Sequence, residues 1–123
     1  MEYSTYGRHI IVDFWGVDFT ILNNVDFLKQ IMIDAAEKSL ATVLSVDYKE
    51  FDPYGCTILV LLSESHLSIH TYPEKEFAAI DCYTCGNDKD PELAINYLIN
   101  LLKPKQIYTK TLIRGIKEIA VVN

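Results

Sequence analysis

The stretch from residue 56 to residue 85, CTILVLLSESHLSIHTYPEKEFAAIDCYTC, decides the architecture. It holds three strand-like runs, 56–62, 66–72 and 77–84, separated by links of only a few residues. Links that short cannot carry a crossover, so the three neighbours must pair antiparallel. The first run is nearly all apolar and reads as a central strand covered on both faces. It passes straight into Ser63, Glu64, Ser65 and His66, and His70, Tyr72 and Glu74 follow closely. An unpaired polar group buried with a strand costs about 1–3 kcal/mol. Such crowding of hydroxyls, imidazoles and carboxylates therefore asks for a reason.

Working outward, residues 8–14 (RHIIVDF) read as a strand with Ile10, Val12 and Phe14 on one face. Asn23 or Asn24 can cap a helix with Asp26 in its first turn, and Leu28, Ile31, Met32 and Ala35 recur at helical spacing up to about Lys38. Residues 42–51 alternate as another strand, closed by the turn signal Asp52-Pro53-Tyr54-Gly55. Asp90 caps a second helix with Pro91 at its first position; Ala94, Tyr97, Leu98, Leu101 and Leu102 form its stripe, and Pro104 stops it. Residues 106–113 and 116–122 read as closing strands around Arg114-Gly115. This order predicts an α+β two-layer sandwich: a mainly antiparallel sheet with two helices on one face. The bare face needs a cover, which a second copy could supply as an αββα dimer.

At 123 residues, half of them hydrophobic and 23% charged, the chain fits a single globular domain. It shows no internal repeat, linker or low-complexity segment. Asp and Glu number 17 against 11 Lys and Arg, a net charge of −6 that argues against nucleic acid and against an anionic membrane surface. The opening MEYSTYGRH lacks a basic region leading into an apolar one, so no secretory signal is expected, and no apolar run reaches membrane-spanning length. The odd set Cys56, Cys82 and Cys85 then suits reduced thiols in a cytoplasmic protein.

Several readings of the polar stretch compete. The plainest is structural, with hydroxyls satisfying a turn and histidines on a sheet face. His66 and His70 with the C-x-x-C of Cys82 and Cys85 offer a Cys2His2 zinc set by arithmetic. On an extended strand, however, residues four apart lie roughly 13 Å apart, too far for one tetrahedral ion. A thioredoxin-like redox pair should open a helix, whereas Cys82 and Cys85 end a strand. The last reading is self-cleavage: a Ser in a sharp turn attacks the preceding carbonyl, and the peptide becomes an ester. A nearby His then removes the Cα proton, the chain breaks by elimination, and the dehydroalanine left behind hydrolyses to a pyruvoyl group. The residue types alone do not choose among these.

The longer wording does. Phe51-Asp52-Pro53-Tyr54-Gly55-Cys56-Thr57, then Leu62-Ser63-Glu64-Ser65-His66-Leu67-Ser68-Ile69-His70-Thr71-Tyr72-Pro73-Glu74, then Asp81-Cys82-Tyr83-Thr84-Cys85-Gly86 closely resemble the small prokaryotic, pyruvoyl-dependent S-adenosylmethionine decarboxylase proenzymes. The resemblance runs in order from Gly7-Arg8-His9 to Arg114-Gly115. It implies autocatalytic cleavage between Glu64 and Ser65 into a β chain of residues 1–64 and an α chain of residues 65–123, with Ser65 becoming the pyruvoyl group. It further implies His70 as the base of the processing elimination and Thr57 as an assisting hydroxyl. The pyruvoyl carbonyl would form a Schiff base with S-adenosyl-L-methionine and draw off electrons as CO2 leaves, doing the work of pyridoxal phosphate. Cys85 would protonate the carbanion, giving S-adenosylmethioninamine, the aminopropyl donor for spermidine synthesis.

By the same resemblance Phe51 stacks on adenine, Tyr72 lines the pocket and Glu74 holds the ribose hydroxyls. An aromatic, acidic site suits the sulfonium cation. The family pattern implies a dimer of αβ units with facing sheets, and no metal. Thr57-Ile58 stands where many relatives have Ser-Gly, and a β-branched residue there is expected to crowd the turn and slow cleavage; Tyr72 replaces a frequent Trp. Two alternatives remain: a related decarboxylase of ornithine or arginine, and an unprocessed, non-catalytic regulatory homologue.

Overall fold

The computed structural model describes residues 5–63 and 65–123. Its strands are β1 (Gly7–Trp15), β2 (Val43–Glu50), β3 (Cys56–Leu62), β4 (Ser65–Tyr72), β5 (Phe77–Cys85), β6 (Gln106–Arg114) and β7 (Ala120–Val121). The helices are α1 (Phe19–Leu22), α2 (Val25–Lys38) and α3 (Pro91–Leu102), with a short 3-10 turn at Pro73–Lys75. The strands form one seven-stranded sheet in the order β2-β3-β4-β5-β1-β6-β7, and every pairing is antiparallel. The predicted α+β sandwich is what forms, and β3 spans the predicted residues.

Three consecutive strands, β3 to β5, pair in chain order through short links. The two long connections, β1 to β2 and β5 to β6, each carry a main helix back over the same face. Asn24 accepts a hydrogen bond from the Phe27 amide and starts α2; Asp90 accepts from the Glu92 amide and starts α3, with Pro91 where its missing N–H is harmless. Leu28, Ile31, Met32, Ala35 and Ala36 of α2, and Ala94, Ile95, Leu98 and Leu102 of α3, are buried against the sheet. From the sheet side they meet Ile10, Val12, Phe14, Ile58, Val60, Leu67, Ile69 and Ile80. Each fully buried aliphatic side chain contributes about 1.5–3 kcal/mol. This layer is where the fold gets its stability.

The structure corrects four expectations. Ile95 faces the core while Tyr97 and Leu101 are only half-buried, because the stripe of α3 is rotated toward Ile95. A one-turn helix, α1, precedes α2; Asp18 accepts from the Thr20 and Ile21 amides and starts it. The expected last strand shrinks to Ala120–Val121, because Gly115 and Lys117 take positive φ values of 83° and 68° that interrupt extended backbone. Ile58 does not crowd a turn: it is fully buried within β3, where a β-branched side chain packs well.

Among the described residues, the opposite face carries no helix. Alternation places Thr57, Leu59 and Leu61 of β3 there, with His66, Ser68, His70 and Tyr72 of β4 and Ala79, Asp81, Tyr83 and Cys85 of β5. Leu61, Leu59 and Ile11 on this face are 52%, 48% and 42% exposed. An apolar sheet face left this open is of the kind that marks interaction sites. Among the described residues no helix is long and apolar enough to cross a membrane.

Candidate active site

The polar stretch is split between the two faces and the two ends of β4. Ser65 is its first residue, paired with Leu62 across a link formed by Ser63 and Glu64. Glu64, the expected carbonyl side of the cleavage, lies outside the described residues. Ser65 is buried, on the helix side with Leu67 and Ile69, and among the described residues its Oγ makes one long contact, donating to the Ser63 carbonyl at 3.4 Å. An ordinary O–H···O bond is about 2.7–2.8 Å. The nucleophile candidate is loosely held.

His70 is five residues further on, roughly 16 Å away at about 3.3 Å per residue. It lies on the open face, where its Nδ1 is 3.0 Å from Thr57 Oγ1, and Thr57 is its cross-strand partner. Within one chain it is out of reach of Ser65. The remaining expected binding residues share the His70 end. Tyr72 ends β4, Glu74 sits exposed on the 3-10 turn, and Phe51 is exposed in the β2–β3 link. The Phe51 amide donates to the Gly55 carbonyl at 2.8 Å and closes that link. Gly55 needs its φ of +92°, and a Cβ there would meet the Thr71 carbonyl oxygen at 2.7 Å. Tyr72 stacks on Phe77 at 5.5 Å, and Phe77 on Trp15 at 4.4 Å, an aromatic ladder across β4, β5 and β1. Trp15 and Phe77 are not visible as a pair in the sequence, since 62 residues and a crossover separate them.

Cys85 belongs to the Ser65 end. Its thiol hydrogen-bonds the Tyr83 hydroxyl; burial first, then that thiol, pushes the Tyr83 hydroxyl's pKa above the ordinary value. Gly7 lets the Tyr83 ring lie on the β1 backbone, as a Cβ there would sit 2.6 Å from the Tyr83 oxygen. The Arg114 guanidinium lies 4.9 Å from the same ring. Cys82 points to the other face and is fully buried; burial and then the Asp81 charge push its thiol up to about 12. Cys82 and Cys85 thus face opposite sides of β5, which keeps them from sharing an ion or a disulfide.

Between the two ends sits a polar network that sequence reading missed. Asp81 Oδ2 lies 2.7 Å from His9 Nε2 and 2.9 Å from His66 Nε2, while Ser68 donates to Asp81 Oδ1. Burial works to raise the Asp81 pKa, but the hydrogen bonds from His66, Ser68 and His9 outweigh it and hold the carboxyl below its usual range. One ligand atom each from His9, His66 and Asp81 lies within 4.8 Å of the other two, close enough to suggest a cation. Proton placement argues otherwise. Arg114 Nη1 lies 3.3 Å from His9 Nδ1, and a guanidinium only donates, so Nδ1 accepts and Nε2 carries the proton toward Asp81. The nitrogen a metal would need is protonated. Alternation along 8–14 hints at His9, but its meeting with Arg114, 105 residues away, is set by strand order.

A groove of about 560 Å³ runs along this face between Leu59 and Leu61 of β3, His66, Ser68 and His70 of β4, and Asp81 of β5. On the helix side Thr84 is fully buried, and its hydroxyl has no hydrogen-bond partner among the described residues.

The sequence model of the S-adenosylmethionine decarboxylase family matches residues 8–115. The S-adenosylmethionine decarboxylase proenzyme of Brevibacillus brevis is 63% identical over 122 residues, covering 99% of this chain and 92% of that protein. Proenzyme 2 of the same name from Bacillus cereus is also 63% identical, over 97% of both chains. Among solved structures, the adenosylmethionine decarboxylase of Aquifex aeolicus superimposes with a TM-score of 0.86 at 38% identity, over 94% of this chain and 95% of that one. A match this long, in sequence and in fold, makes the chain a member of the S-adenosylmethionine decarboxylase family.

Proposed function

We propose that the chain is a self-cleaving, pyruvoyl-dependent decarboxylase of S-adenosyl-L-methionine, cut between Glu64 and Ser65 into residues 1–64 and 65–123. The observation that carries this reading is the position of Ser65: first residue of β4, in a tight hairpin, buried and with its hydroxyl almost unused. Ser65 Oγ bonds to the Glu64 carbonyl carbon, the Glu64–Ser65 C–N bond breaks, and the hydroxyl proton passes to the freed amine. Removal of the Ser65 Cα proton expels the Glu64 carboxylate. Water then replaces the nitrogen of the dehydroalanine as ammonia, leaving the pyruvoyl group.

The residues present fit that group. Ser65 supplies its carbons, and Thr84, opposite Ser65 on the same buried face, has an unspent hydroxyl that can hydrogen-bond a carbonyl. When formed, the pyruvoyl carbonyl condenses with the substrate's α-amino group and accepts the electrons released with CO2. Cys85, on the open face at the same end of the sheet, delivers a proton to the substrate's α-carbon. Phe51 and the Tyr72 ladder offer aromatic surface to adenine and the sulfonium, and Glu74 accepts from the ribose hydroxyls.

His70 serves as base only if it reaches a Ser65 other than its own. Two copies meeting open face to open face, with a two-fold axis perpendicular to the strands, set the Ser65 and Cys85 end of one against the Thr57 and His70 end of the other. The exposed Leu59, Leu61 and Ile11 supply the apolar contact. The assembly is then two αβ units around two composite sites. The product, S-adenosylmethioninamine, is the aminopropyl donor for spermidine synthesis, and the net charge of −6 and the free thiols suit a cytoplasmic enzyme.

Intact mass spectrometry of the purified chain, with release of labelled CO2 from S-adenosyl-L-methionine, tests the proposal. Two fragments, the second with a blocked amino end, and CO2 release are expected. A persistently uncut chain would favour a non-catalytic regulatory homologue, and release only from ornithine or arginine would move the substrate.

A further inference from the structure

Threonine at position 84 is not explained by folding. Ser39 and Thr71, also buried, spend their hydroxyls on the Ala36 carbonyl and the Cys56 amide. The Thr84 hydroxyl is equally shut from water and has no partner among the described residues. A valine fills the same volume without an unpaired polar atom, so the hydroxyl is a burden to the folded state.

Its neighbour suggests what it is for. His66 pairs with Tyr83, so one step along the two antiparallel strands Ser65 stands opposite Thr84. Both side chains point to the helix layer, Ser65 with Leu67 and Ile69, Thr84 with Ile80 and Cys82, all buried. Opposed residues on one face hold their Cβ atoms about 4.5–5.5 Å apart, and Ser and Thr hydroxyls at that spacing can hydrogen-bond. Among the described residues, Ser65 Oγ meanwhile has only its 3.4 Å contact to the Ser63 carbonyl. The two hydroxyls do not bond each other here, yet the strand register brings both to the same buried corner.

We infer that Thr84 is a positioning residue for self-cleavage. When Ser65 Oγ turns off the Ser63 carbonyl, the Thr84 oxygen accepts its proton and fixes the rotamer in which Oγ attacks the Glu64 carbonyl. As the O–C bond forms and the C–N bond breaks, the proton leaves for the amine nitrogen and Thr84 is unchanged. The inference rests on Ser65 being the cleavage residue. It also accounts for the unpaired hydroxyl, whose partner is the reacting group.

The test is a time course of self-cleavage, followed by intact mass in freshly made full-length chain, for wild type, Thr84→Val and Thr84→Ser. Melting temperatures are compared in an uncut Ser65→Ala background with and without Thr84→Val. Thr84→Val should melt at or above its parent yet cut about tenfold or more slowly, the worth of one well-placed hydrogen bond. Thr84→Ser, which keeps the hydroxyl, should cut at close to the wild-type rate. Wild-type cleavage in Thr84→Val, or Thr84→Ser as slow as Thr84→Val, overturns the inference. Should valine not fold, Thr84→Ala replaces it, and wild-type cleavage there is equally fatal. A wild-type chain that never cuts overturns instead the self-cleavage reading on which this one stands.

Discussion

Thr57 Oγ1 and His70 Nδ1 stand 3.0 Å apart across the β3–β4 pair, on the face that the helices leave bare. If Nδ1–H donates to Thr57, the lone pair of His70 Nε2 is free to take a proton. Thr57→Val removes that anchor and should slow self-cleavage by about 10- to 100-fold, within the range of general-base effects. Thr57→Ser should restore it. Intact mass against time reads both, and equal rates for all three chains would dissociate Thr57 from processing.

Ser65 and His70 are too distant to act within one chain, which makes a complementation experiment decisive. Ser65→Ala and His70→Ala should each stay uncut alone. If the proposed dimer forms, co-expression should give mixed dimers in which the native Ser65 of the His70→Ala chain meets the partner's native His70. Cleavage should appear in the His70→Ala chain only. No cleavage in the mixture would place both residues in a single-chain site.

Asp81 gives the open face a pH-dependent element of stability. Its carboxyl is held below the ordinary value of about 3.9, so the stabilisation is present above that pH and lost as pH falls through the lower folded value. In an uncut Ser65→Ala background, Asp81→Asn should lower urea-unfolding stability at pH 7 by about 1–3 kcal/mol. The gap should begin to narrow as pH falls below about 3.9, where the unfolded-state carboxyl takes up its proton, and close only below the lower folded value. A gap unchanged by pH would show that Asp81 acts through packing rather than charge.

The cysteines should separate by reactivity. Burial raises the Cys56 thiol and pushes Cys82 up to about 12, so neither forms thiolate near pH 8. Iodoacetamide on native, already cut protein should mark Cys85 alone and abolish CO2 release. Labelling of Cys82 before unfolding, or full turnover with Cys85 alkylated, would contradict the assignment.

Much of the fold was legible because its signals are local. β3 announces itself as an apolar run, Asp90-Pro91 starts α3, and the short links force antiparallel neighbours. β7 was read too long and α1 was missed, because their limits depend on left-handed residues and a single Asp18 cap. The site was legible as wording and not as geometry. Ser65, His70, Thr57 and Cys85 stand out by motif, yet the sequence could not say that β4 divides them between two ends and two faces. Nor could it bring His9 to Arg114, since that contact exists only where β1 lies between β5 and β6.

The strand order also bears on what a break after residue 64 would leave. β1, from the first segment, is wedged between β5 and β6 of the second, while β3 stays laced to β4. The two pieces interlock like the fingers of clasped hands, and neither can slide free without unzipping the middle of the sheet. Scission of this chain would thus release no fragment: it would turn one polypeptide into two that must be born together and cannot be exchanged.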